Sequence, residues 1–236
     1  MNDLHLPFFF LDELNLNQRS YVMSEETSKH MIQVLRMQKR EALHLTNGRG
    51  LLAQAQITDD HRKRCSVDID SFIEKETPSY TVTLAISPLK NSSRFEWLLE
   101  KAAEIGVGSI IPLICTRTEK EQLRFDRLQG ILISAMLQSQ QTWKCELHEP
   151  IQLKKLIASA KPSRKLVAHC LPQQKNKLTR IETKGEVMIL IGPEGDFTAE
   201  EIEACIQAGY EPVSLGDTRL RTETAGMVAA TLLCIG

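Results

Sequence analysis

The sequence lacks most of the signals that assign a chain to a specialised class of protein. Its 29 basic and 30 acidic residues leave a formal net charge of −1, so no global basic field indicates nucleic acid. An RNA or DNA partner would have to be held by local basic patches. The chain has no run of about 18 apolar residues, which argues against a transmembrane helix. With 42% apolar and 25% charged residues it has the composition of an ordinary globular protein.

The cysteines form no metal-binding or redox pattern. The six lie 25 or more residues apart, without a C-x-x-C pair or a histidine pair at zinc spacing. We therefore expect free thiols in a reducing cytosol and no metal site. The N-terminal stretch MNDLHLPFFFLDELN has acids where a signal peptide needs basic residues. These absences predict a cytoplasmic protein without a membrane anchor.

From Tyr80 onward, short apolar runs alternate with helical periodicity, the pattern of a mostly parallel sheet covered by helices. The predicted strands span residues 80–87, 109–115, 166–171, 187–192 and 212–215. Two apolar stripes at helical spacing predict helices, one through Phe95, Leu98, Leu99, Ala102 and Ile105 and one through Leu128, Ile131, Leu132, Ala135 and Met136.

The first 74 residues have a different pattern. Alternating apolar residues predict three strands, around residues 43–45, 53–57 and 67–69, with Asn47-Gly48 as a hairpin turn. A helix over residues 25–36, capped by Ser24, interrupts them. The pattern predicts a small antiparallel β-barrel in residues 1–74, a charged linker ending at Pro78, and a second domain over residues 78–236.

Two glycine-containing turns follow predicted strands. Gly-Pro-Glu-Gly-Asp at 192–196 ends a strand where open α/β sheets place ligands, and Thr198 with Glu201 forms a capping box for the next helix. The P-loop pattern G-x-x-x-x-G-K-[ST] is absent, and the two carboxylates at 194 and 196 would repel phosphate. The turn therefore suits a neutral or cationic ligand, or serves only as a connection. A second turn, residues 215–225, enters a helix whose small residues permit close approach of a ligand or tight packing.

Basic residues cluster locally in both predicted domains. Residues 29–40 contain four cations, a histidine and no acid, and residues 161–184 contain seven cations and one acid. Such runs are either solvated faces or sites for a phosphodiester backbone. Their presence in both domains of a near-neutral chain favours an RNA partner.

Four motifs together resemble the RsmE family of 16S ribosomal RNA uridine-N3 methyltransferases, in the SPOUT superfamily. They are I-G-P-E-G-D-F-T-x-x-E from Ile191, L-G-x-x-x-L-R-x-E-T-A from Leu215, H-x-x-x-V-L-R from His30, and K-x-x-x-R-x-E-x-x-x-x-K-x-x-E-x-G from Lys90. The resemblance covers nearly the whole chain. It implies a PUA-like β-barrel that binds RNA, followed by a methyltransferase domain with a trefoil knot, although base rates argue against knots. It also implies an obligate homodimer, S-adenosylmethionine as cofactor, and N3-methyluridine in the decoding region of the small ribosomal subunit as product.

The resemblance and the two turns assign candidate site residues. The candidates for cofactor binding are Leu171 at the end of its strand, Ile191, Gly192, Glu194, Gly195, Leu215, Gly216, Leu220 and Ala225. The candidates for RNA binding are His30, Arg36, Lys90, Arg94 and Lys101. Arg221 is the candidate cation for the imidate that develops on the uracil, and Glu223 the candidate proton acceptor, although Arg221 could instead pair with Glu223 or an RNA phosphate.

The chain departs from the family pattern in one helix, where Leu137 and Gln141 replace the acid and the arginine of Glu-Gln-Ser-x-Arg. The lost charges concern an RNA or dimer contact and keep open an alternative, a catalytically silent RNA-binding or ribosome-assembly protein on the same scaffold. A second alternative is a small-molecule α/β enzyme that uses Glu194 and Asp196 as paired carboxylates, which leaves the basic patches without a role.

Overall fold

A computed structural model describes residues 6–172, 175–178 and 185–235 of the chain. It divides into two compact units. One comprises the described residues up to Thr77 together with Met136–Lys144, and the other comprises Pro78–Ala135 and the described residues from Cys145 onward. No helix in the described ranges is long and apolar enough to cross a membrane.

The first unit is built on a five-stranded sheet in the order β1-β3-β4-β5-β2. Its elements are β1 (Phe8–Phe10), β2 (Ser20–Val22), α1 (Glu25–Lys29), β3 (Ala42–Thr46), β4 (Leu51–Asp59) and β5 (Ser66–Glu74). β1 and β3 are parallel, and the other pairs are antiparallel. The alternation in β3, β4 and β5 places their apolar residues in one buried cluster, which confirms the three strands predicted from the sequence.

The helix predicted over residues 25–36 is shorter than expected, and it changes from an α-helix to a π-helical turn. The Ser24 hydroxyl accepts the Thr27 N–H at 3.1 Å, as predicted for the cap. α1 then passes into a π-helical turn, His30–Val34. The chain leaves the helix at Arg36, whose φ of 59° is left-handed, while the Met37 N–H donates to the Met31 carbonyl. That hydrogen bond closes the end of the helix before the predicted boundary.

The second unit contains a parallel sheet in the order β11-β13-β10-β12-β6-β7-β8, with β9 paired to β7. Its strands are β6 (Tyr80–Ile86), β7 (Ser109–Ile114), β8 (Glu146–Leu147), β9 (Ile151–Gln152), β10 (Arg164–Ala168), β11 (Asn176–Lys177), β12 (Gly185–Ile191) and β13 (Glu211–Ser214). Its helices are α2 (Ser92–Ile105), α3 (Phe125–Gln138), which ends in the first unit, α4 (Leu153–Ser159), α5 (Ala199–Gln207) and α6 (Thr222–Cys234). The fold is therefore α/β with a mostly parallel sheet, as predicted.

Helices cover both faces of this sheet. In β12, Ile189 and Ile191 pack with α2, α3 and α6, whereas Met188 and Leu190 pack with α4 and α5. Such a strand is apolar on both sides and reads as a continuous hydrophobic run. Because its central strands pair in parallel, their carboxyl ends lie at one edge of the sheet.

One predicted strand ends earlier than expected. β10 stops at Ala168, so Leu171 lies three residues beyond the strand rather than at its end. The chain turns there because the Asp196 carboxylate accepts the Cys170 N–H, and the Lys175 ammonium donates to the carbonyls of His169 and Leu171. The apolar run alone could not indicate this turn, since both partners come from elsewhere in the chain.

Candidate active site

A cavity of about 710 Å³ lies at the carboxyl edge of the parallel sheet, entirely within the second unit. The loops that follow β10, β12 and β13 form it together with the first turns of α2 and α6. Its lining residues are Arg94, Ala168, His169, Cys170, Lys175, Ile191, Gly192, Pro193, Glu194, Asp196, Val213, Ser214, Leu215, Gly216, Asp217, Thr218, Arg219, Leu220, Arg221, Thr222, Glu223 and Ala225. The two turns singled out in the sequence therefore face one space.

The structure brings together many of the predicted site residues and leaves others apart. The predicted residues that line the cavity are Arg94, Ile191, Gly192, Glu194, Leu215, Gly216, Leu220, Arg221, Glu223 and Ala225. Those outside the described lining are Leu171, Gly195, Lys90 and Lys101, and His30 and Arg36 belong to the first unit. Leu171 packs against the apolar layer formed with α4 and α5. The second basic run includes residues 179–184, which lie outside the described residues.

The turn after β12 is held by its own aspartate. Asp196 has a left-handed φ of 63°, and its carboxylate accepts the N–H of Phe197 and the N–H of Cys170, both at 2.8 Å. Arg117 donates to the Gly195 carbonyl at 2.6 Å on the other side. Both carboxylate oxygens of Asp196 are thus committed to backbone groups. This arrangement speaks against a paired-carboxylate enzyme, because one of the two acids ties loops together.

Both turns favour glycine, for different reasons. A Cβ on Gly192 would lie 3.0 Å from the Phe197 ring and 3.1 Å from its backbone nitrogen. Gly216 has a φ of 143°, a conformation that residues with a Cβ rarely adopt. The close approach at one glycine and the backbone conformation at the other bring main-chain groups to the cavity wall.

The predicted capping box at the start of α5 is present and extends further than the sequence indicated. Thr198 and Glu201 exchange hydrogen bonds as a capping box. The second oxygen of Glu201 also accepts the backbone N–H of Thr116 at 2.7 Å and its hydroxyl at 2.9 Å. Glu201 is buried, and it therefore anchors the loop after β7 to the helix that follows the glycine turn.

The two catalytic candidates lie at the N-terminus of α6. Arg221 is the N-cap residue and is exposed, while Glu223 in the first turn is mostly buried. The recorded ion pair of Glu223 is with Arg94 of α2, at 3.5 Å. Arg94 was predicted as an RNA contact and Glu223 as a proton acceptor, so the structure joins two candidates whose proximity the sequence did not show.

His169 is a site residue that the sequence reasoning missed. It follows β10 directly and is only 7% exposed, yet neither ring nitrogen has a hydrogen-bond partner among the described residues. Burial, reinforced by the nearby Lys175 ammonium, lowers the pKa of His169, with Asp196 acting weakly in the opposite direction. The imidazole is therefore neutral near pH 7. The signal available in the sequence was a histidine immediately after an apolar run, which is weak without the neighbouring strands.

The predicted RNA contacts outside the cavity lie on the surface. Lys90 pairs with Glu119 at 2.9 Å, which raises the pKa of Lys90. Lys101 pairs with two acids of its own helix, at 2.7 and 2.8 Å, and its pKa is likewise raised. In the first unit, His30 and Arg36 are exposed at the two ends of the π-helical turn. Across the described residues, no group of three or more His, Cys, Asp or Glu side chains is placed to hold a metal ion.

Comparison with known proteins identifies both parts of the chain. Residues 75–234 match a family model described as an RNA methyltransferase domain, and residues 24–70 match an RNA methyltransferase PUA domain. The ribosomal RNA small subunit methyltransferase E of Synechocystis sp. is 29% identical over 208 residues, covering 85% of this chain and 68% of the relative.

Solved structures are similar over nearly the whole chain. A probable rRNA methyltransferase from Porphyromonas gingivalis is 36% identical, with a TM-score of 0.87 and 96% of each chain covered. The ribosomal RNA small subunit methyltransferase E of Neisseria gonorrhoeae, solved with bound S-adenosyl methionine, is 29% identical, with a TM-score of 0.85 and again 96% of each chain covered. The chain therefore belongs to the RsmE family of RNA methyltransferases, as its motifs predicted.

Proposed function

We propose that this protein transfers a methyl group from S-adenosylmethionine to N3 of a uridine in the 16S ribosomal RNA of the small subunit. The observation that carries the proposal is the single cavity shared by the turns after β12 and β13, which contain the two family motifs. The decoding region as the location of the uridine, the homodimer and the knot are parts of the same proposal, and they rest on the family resemblance.

The cavity suits this cofactor in size and charge. Its volume of about 710 Å³ lies within the range of about 300–1,000 Å³ of small-molecule sites. Among the described lining residues, four are basic and four acidic: Arg94, Lys175, Arg219 and Arg221 against Glu194, Asp196, Asp217 and Glu223. S-adenosylmethionine carries two cationic groups, one carboxylate and a neutral adenosine, so a mixed wall fits it better than a phosphate cradle would. Both Gly192 and Gly216 line the cavity, and the backbone groups of the exposed Gly216 are accessible for adenine and ribose because no side chain covers them.

The bound cofactor would supply an electrophilic methyl group on its sulfonium. The chain must then orient the uracil and remove the proton from its N3, since an imide nitrogen attacks poorly while protonated. Arg221, exposed at the start of α6, is placed to stabilise negative charge on the uracil oxygens. Glu223 lies two residues further along, in the first turn of α6, where the ion pair with Arg94 holds its carboxylate beside the cavity, and we assign it the role of proton acceptor.

The substrate assignment is supported by the names of the relatives, which act on small-subunit ribosomal RNA. It is also supported by the exposed basic residues of the first unit, which include Arg36, Lys39 and Arg40. Such residues neutralise phosphates without reading sequence. The choice of one uridine would therefore depend on the shape of the subunit and on the cavity.

The decisive experiment incubates small subunits that lack the modification with labelled S-adenosylmethionine and identifies the product by nucleoside mass spectrometry. We expect N3-methyluridine with the wild-type protein and a loss of turnover of about 100-fold or more with Arg221→Ala. Arg127→Ala removes an arginine that is paired with Glu96 outside the described cavity wall, and it serves as the matched control. A methyl group on another atom would contradict the proposed function, whereas full turnover of Arg221→Ala with normal cofactor binding would contradict the role of Arg221.

The silent RNA-binding alternative rests on Leu137 and Gln141. Both positions belong to the segment Met136–Lys144 of the first unit, where the Gln141 side chain donates to the Ser139 hydroxyl at 2.9 Å. Neither position belongs to the described cavity wall, so the substitutions leave the proposed cofactor site intact. A ligand at 100 times its dissociation constant adds about 2.7 kcal/mol of stability. A melting temperature unchanged by millimolar S-adenosylmethionine would favour the silent alternative.

A further inference from the structure

Among the described residues a few buried polar side-chain atoms lack a hydrogen-bond partner, including Trp143 Nε1 and Arg164 Nε, and the ring nitrogens of His169 are the ones that belong to a residue lining the cavity. His169 is 7% exposed, and both ring nitrogens lack a hydrogen bond to any residue in the described ranges. Buried polar groups in native proteins are nearly always paired, because an unpaired one costs about 1–3 kcal/mol. A buried donor and acceptor that line a cavity are therefore placed for a ligand.

The strand register locates His169 between the two family motifs. Ala168, the last residue of β10, is paired with Ile191 of β12 on one side and with Val213 of β13 on the other. His169 is consequently at the level of Gly192 and Ser214, where the two turns begin. Arg221, the candidate cation for the uracil, is by contrast exposed. A macromolecule must approach from the exposed side, so His169 belongs to the inner part of the cavity.

The environment of the ring restricts the chemistry of its partner. The Lys175 ammonium donates to the His169 carbonyl at 2.7 Å, and burial and that charge lower the pKa of the imidazole. A neutral imidazole offers one donor and one acceptor and no charge. It suits an uncharged heterocycle or a hydroxyl pair better than it suits a carboxylate, an ammonium or a phosphate.

We propose that His169 is a specificity-determining residue that hydrogen-bonds the uncharged adenosine portion of the cofactor from the inner wall of the cavity. The inference rests on the proposed function for the identity of the cofactor. It goes beyond that function in assigning adenosine recognition to a side chain, whereas Gly192 and Gly216 of the neighbouring turns offer only backbone groups. It also explains why a buried imidazole is kept without a hydrogen-bond partner among the described residues.

Two substitutions separate recognition from folding. His169→Leu keeps similar bulk and removes both polar atoms, and His169→Gln keeps one donor and one acceptor. Because the imidazole has no partner among the described residues, His169→Leu should leave the melting temperature of the unliganded protein equal or higher. A merely structural histidine would instead lower it on substitution.

The test measures binding of S-adenosylmethionine, adenosine and methionine to the full-length protein by calorimetry. We expect His169→Leu to weaken the binding of S-adenosylmethionine and adenosine by about tenfold or more and to leave the binding of methionine unchanged. The affinities of His169→Gln should stay within about threefold of those of the wild type. In turnover assays the KM for S-adenosylmethionine should rise for His169→Leu, with kcat near wild type at saturation.

The outcomes distinguish this inference from the proposed function. Unchanged binding of adenosine and S-adenosylmethionine by His169→Leu would overturn the role of His169 and leave the methyltransferase intact. A fall in kcat with unchanged affinity would also overturn it, because the ring would then act on the target base. If the wild type bound adenosine through His169 but did not use S-adenosylmethionine, the proposed function would fail and adenosine recognition would stand. Failure of the wild type to bind either compound would overturn both.

Discussion

Asp196 illustrates how one side chain shapes the site without chemistry of its own. The sequence placed two acids in a glycine turn, and both were interpreted as groups suited to a cationic ligand. The structure separates them, because Glu194 is exposed whereas the Asp196 carboxylate accepts backbone N–H groups from two loops. The hydrogen bond from the Cys170 N–H to the Asp196 carboxylate joins the turn after β12 to the loop after β10. Asp196 therefore holds together the walls between which His169 lies.

Asp196→Asn should destabilise the unliganded protein by about 1–2 kcal/mol, because an amide cannot accept both N–H groups as a carboxylate does. Urea unfolding measures the change. The matched control is Asp217→Asn, which removes a charge paired with Lys177 at 3.4 Å while both side chains are more than two-thirds exposed. The control should change stability by less than about 0.5 kcal/mol. Equal effects of the two substitutions would contradict the bracing role of Asp196.

His169 also makes stability depend on pH. The pKa of His169 in the folded protein is lowered from the ordinary value of 6.5, so the unfolded chain binds its proton first as the pH falls. The contribution of the neutral imidazole to the free energy of unfolding is therefore complete above about pH 6.5 and is lost as the pH falls below it. The free energy of unfolding then falls by at most about 1.4 kcal/mol per pH unit.

Compared with wild type, His169→Gln should therefore gain relative stability between pH 6.5 and pH 5.5, because glutamine does not titrate. Urea unfolding of both proteins at pH 8.0, 6.5 and 5.5 measures the difference, and the pH 8.0 pair controls for packing. A difference that stays constant with pH, or that moves toward the wild type on acidification, would show that the folded imidazole is not held neutral.

At the scale of elements, α6 is positioned by a glycine that allows close packing. A Cβ on Gly226 would lie 2.7 Å from Ile86 Cδ1 and 3.0 Å from Leu98 Cδ1, and both side chains are fully buried. The helix thereby approaches β6 and α2, and its first turn presents the catalytic candidates to the cavity. The small residues of α6 were open to either interpretation from the sequence. At Gly226 the structure shows tight packing.

Gly226→Ala should lower the free energy of unfolding by about 1–2 kcal/mol, because overpacking outweighs a gain in helix propensity of about 1 kcal/mol. Gly130→Ala is the matched control within α3, where the added Cβ would meet no described atom within 4 Å beyond its chain neighbours and the backbone of its own helix. That substitution should raise stability by up to about 1 kcal/mol. Thermal unfolding of the two variants should thus shift in opposite directions. A stabilising Gly226→Ala would mean that the packing gives way.

The sequence predicted elements well where the signal was local. The strands expected at 80–87, 109–115, 187–192 and 212–215 end within two residues of the observed bounds. A strand buried on both faces needs a continuous apolar run, and such a run is visible in any window. The strand expected at 166–171 failed at its end, because its last three residues are drawn away by Asp196 and Lys175. The short strands β1 and β2 were missed, since three residues carry too little pattern.

The site was predictable to the extent that its residues form contiguous motifs. Gly192, Gly216 and Arg221 could be proposed from two turns, whereas the ion pair of Glu223 with Arg94 joins positions far apart in the chain. His169 acquires meaning only from the strands on both sides of it. The sequence gives the residue types directly, but it does not show which strands pair or in which register.

At the scale of the whole molecule, the chain passes between the two units more than once. Met136–Lys144 returns to the first unit after α3 has begun in the second. The returning segment is held by backbone hydrogen bonds, from Lys144 to the Gly48 carbonyl and from Gly50 to the Thr142 carbonyl, both at 2.9 Å. The indole of Trp143 lies against Gly50, where a Cβ would overlap the ring. A cut at the linker alone would thus separate Trp143 from its packing partner.

A fragment of residues 78–236 should therefore expose Trp143 even where the parallel sheet remains folded. The chain has two tryptophans, and replacing Trp97 by Phe leaves Trp143 as the only indole fluorophore. In this background we expect the emission maximum to shift to longer wavelength in the fragment relative to the full-length chain, because water replaces the contact with Gly50. Binding of S-adenosylmethionine to the same fragment serves as the folding control, since the described cavity is built wholly from the second unit. An unchanged emission maximum in a fragment that binds the cofactor would contradict this expectation. It would show that the segment around Trp143 keeps its environment without the first 77 residues, so its hydrogen bonds to Gly48 and Gly50 would not be what positions it.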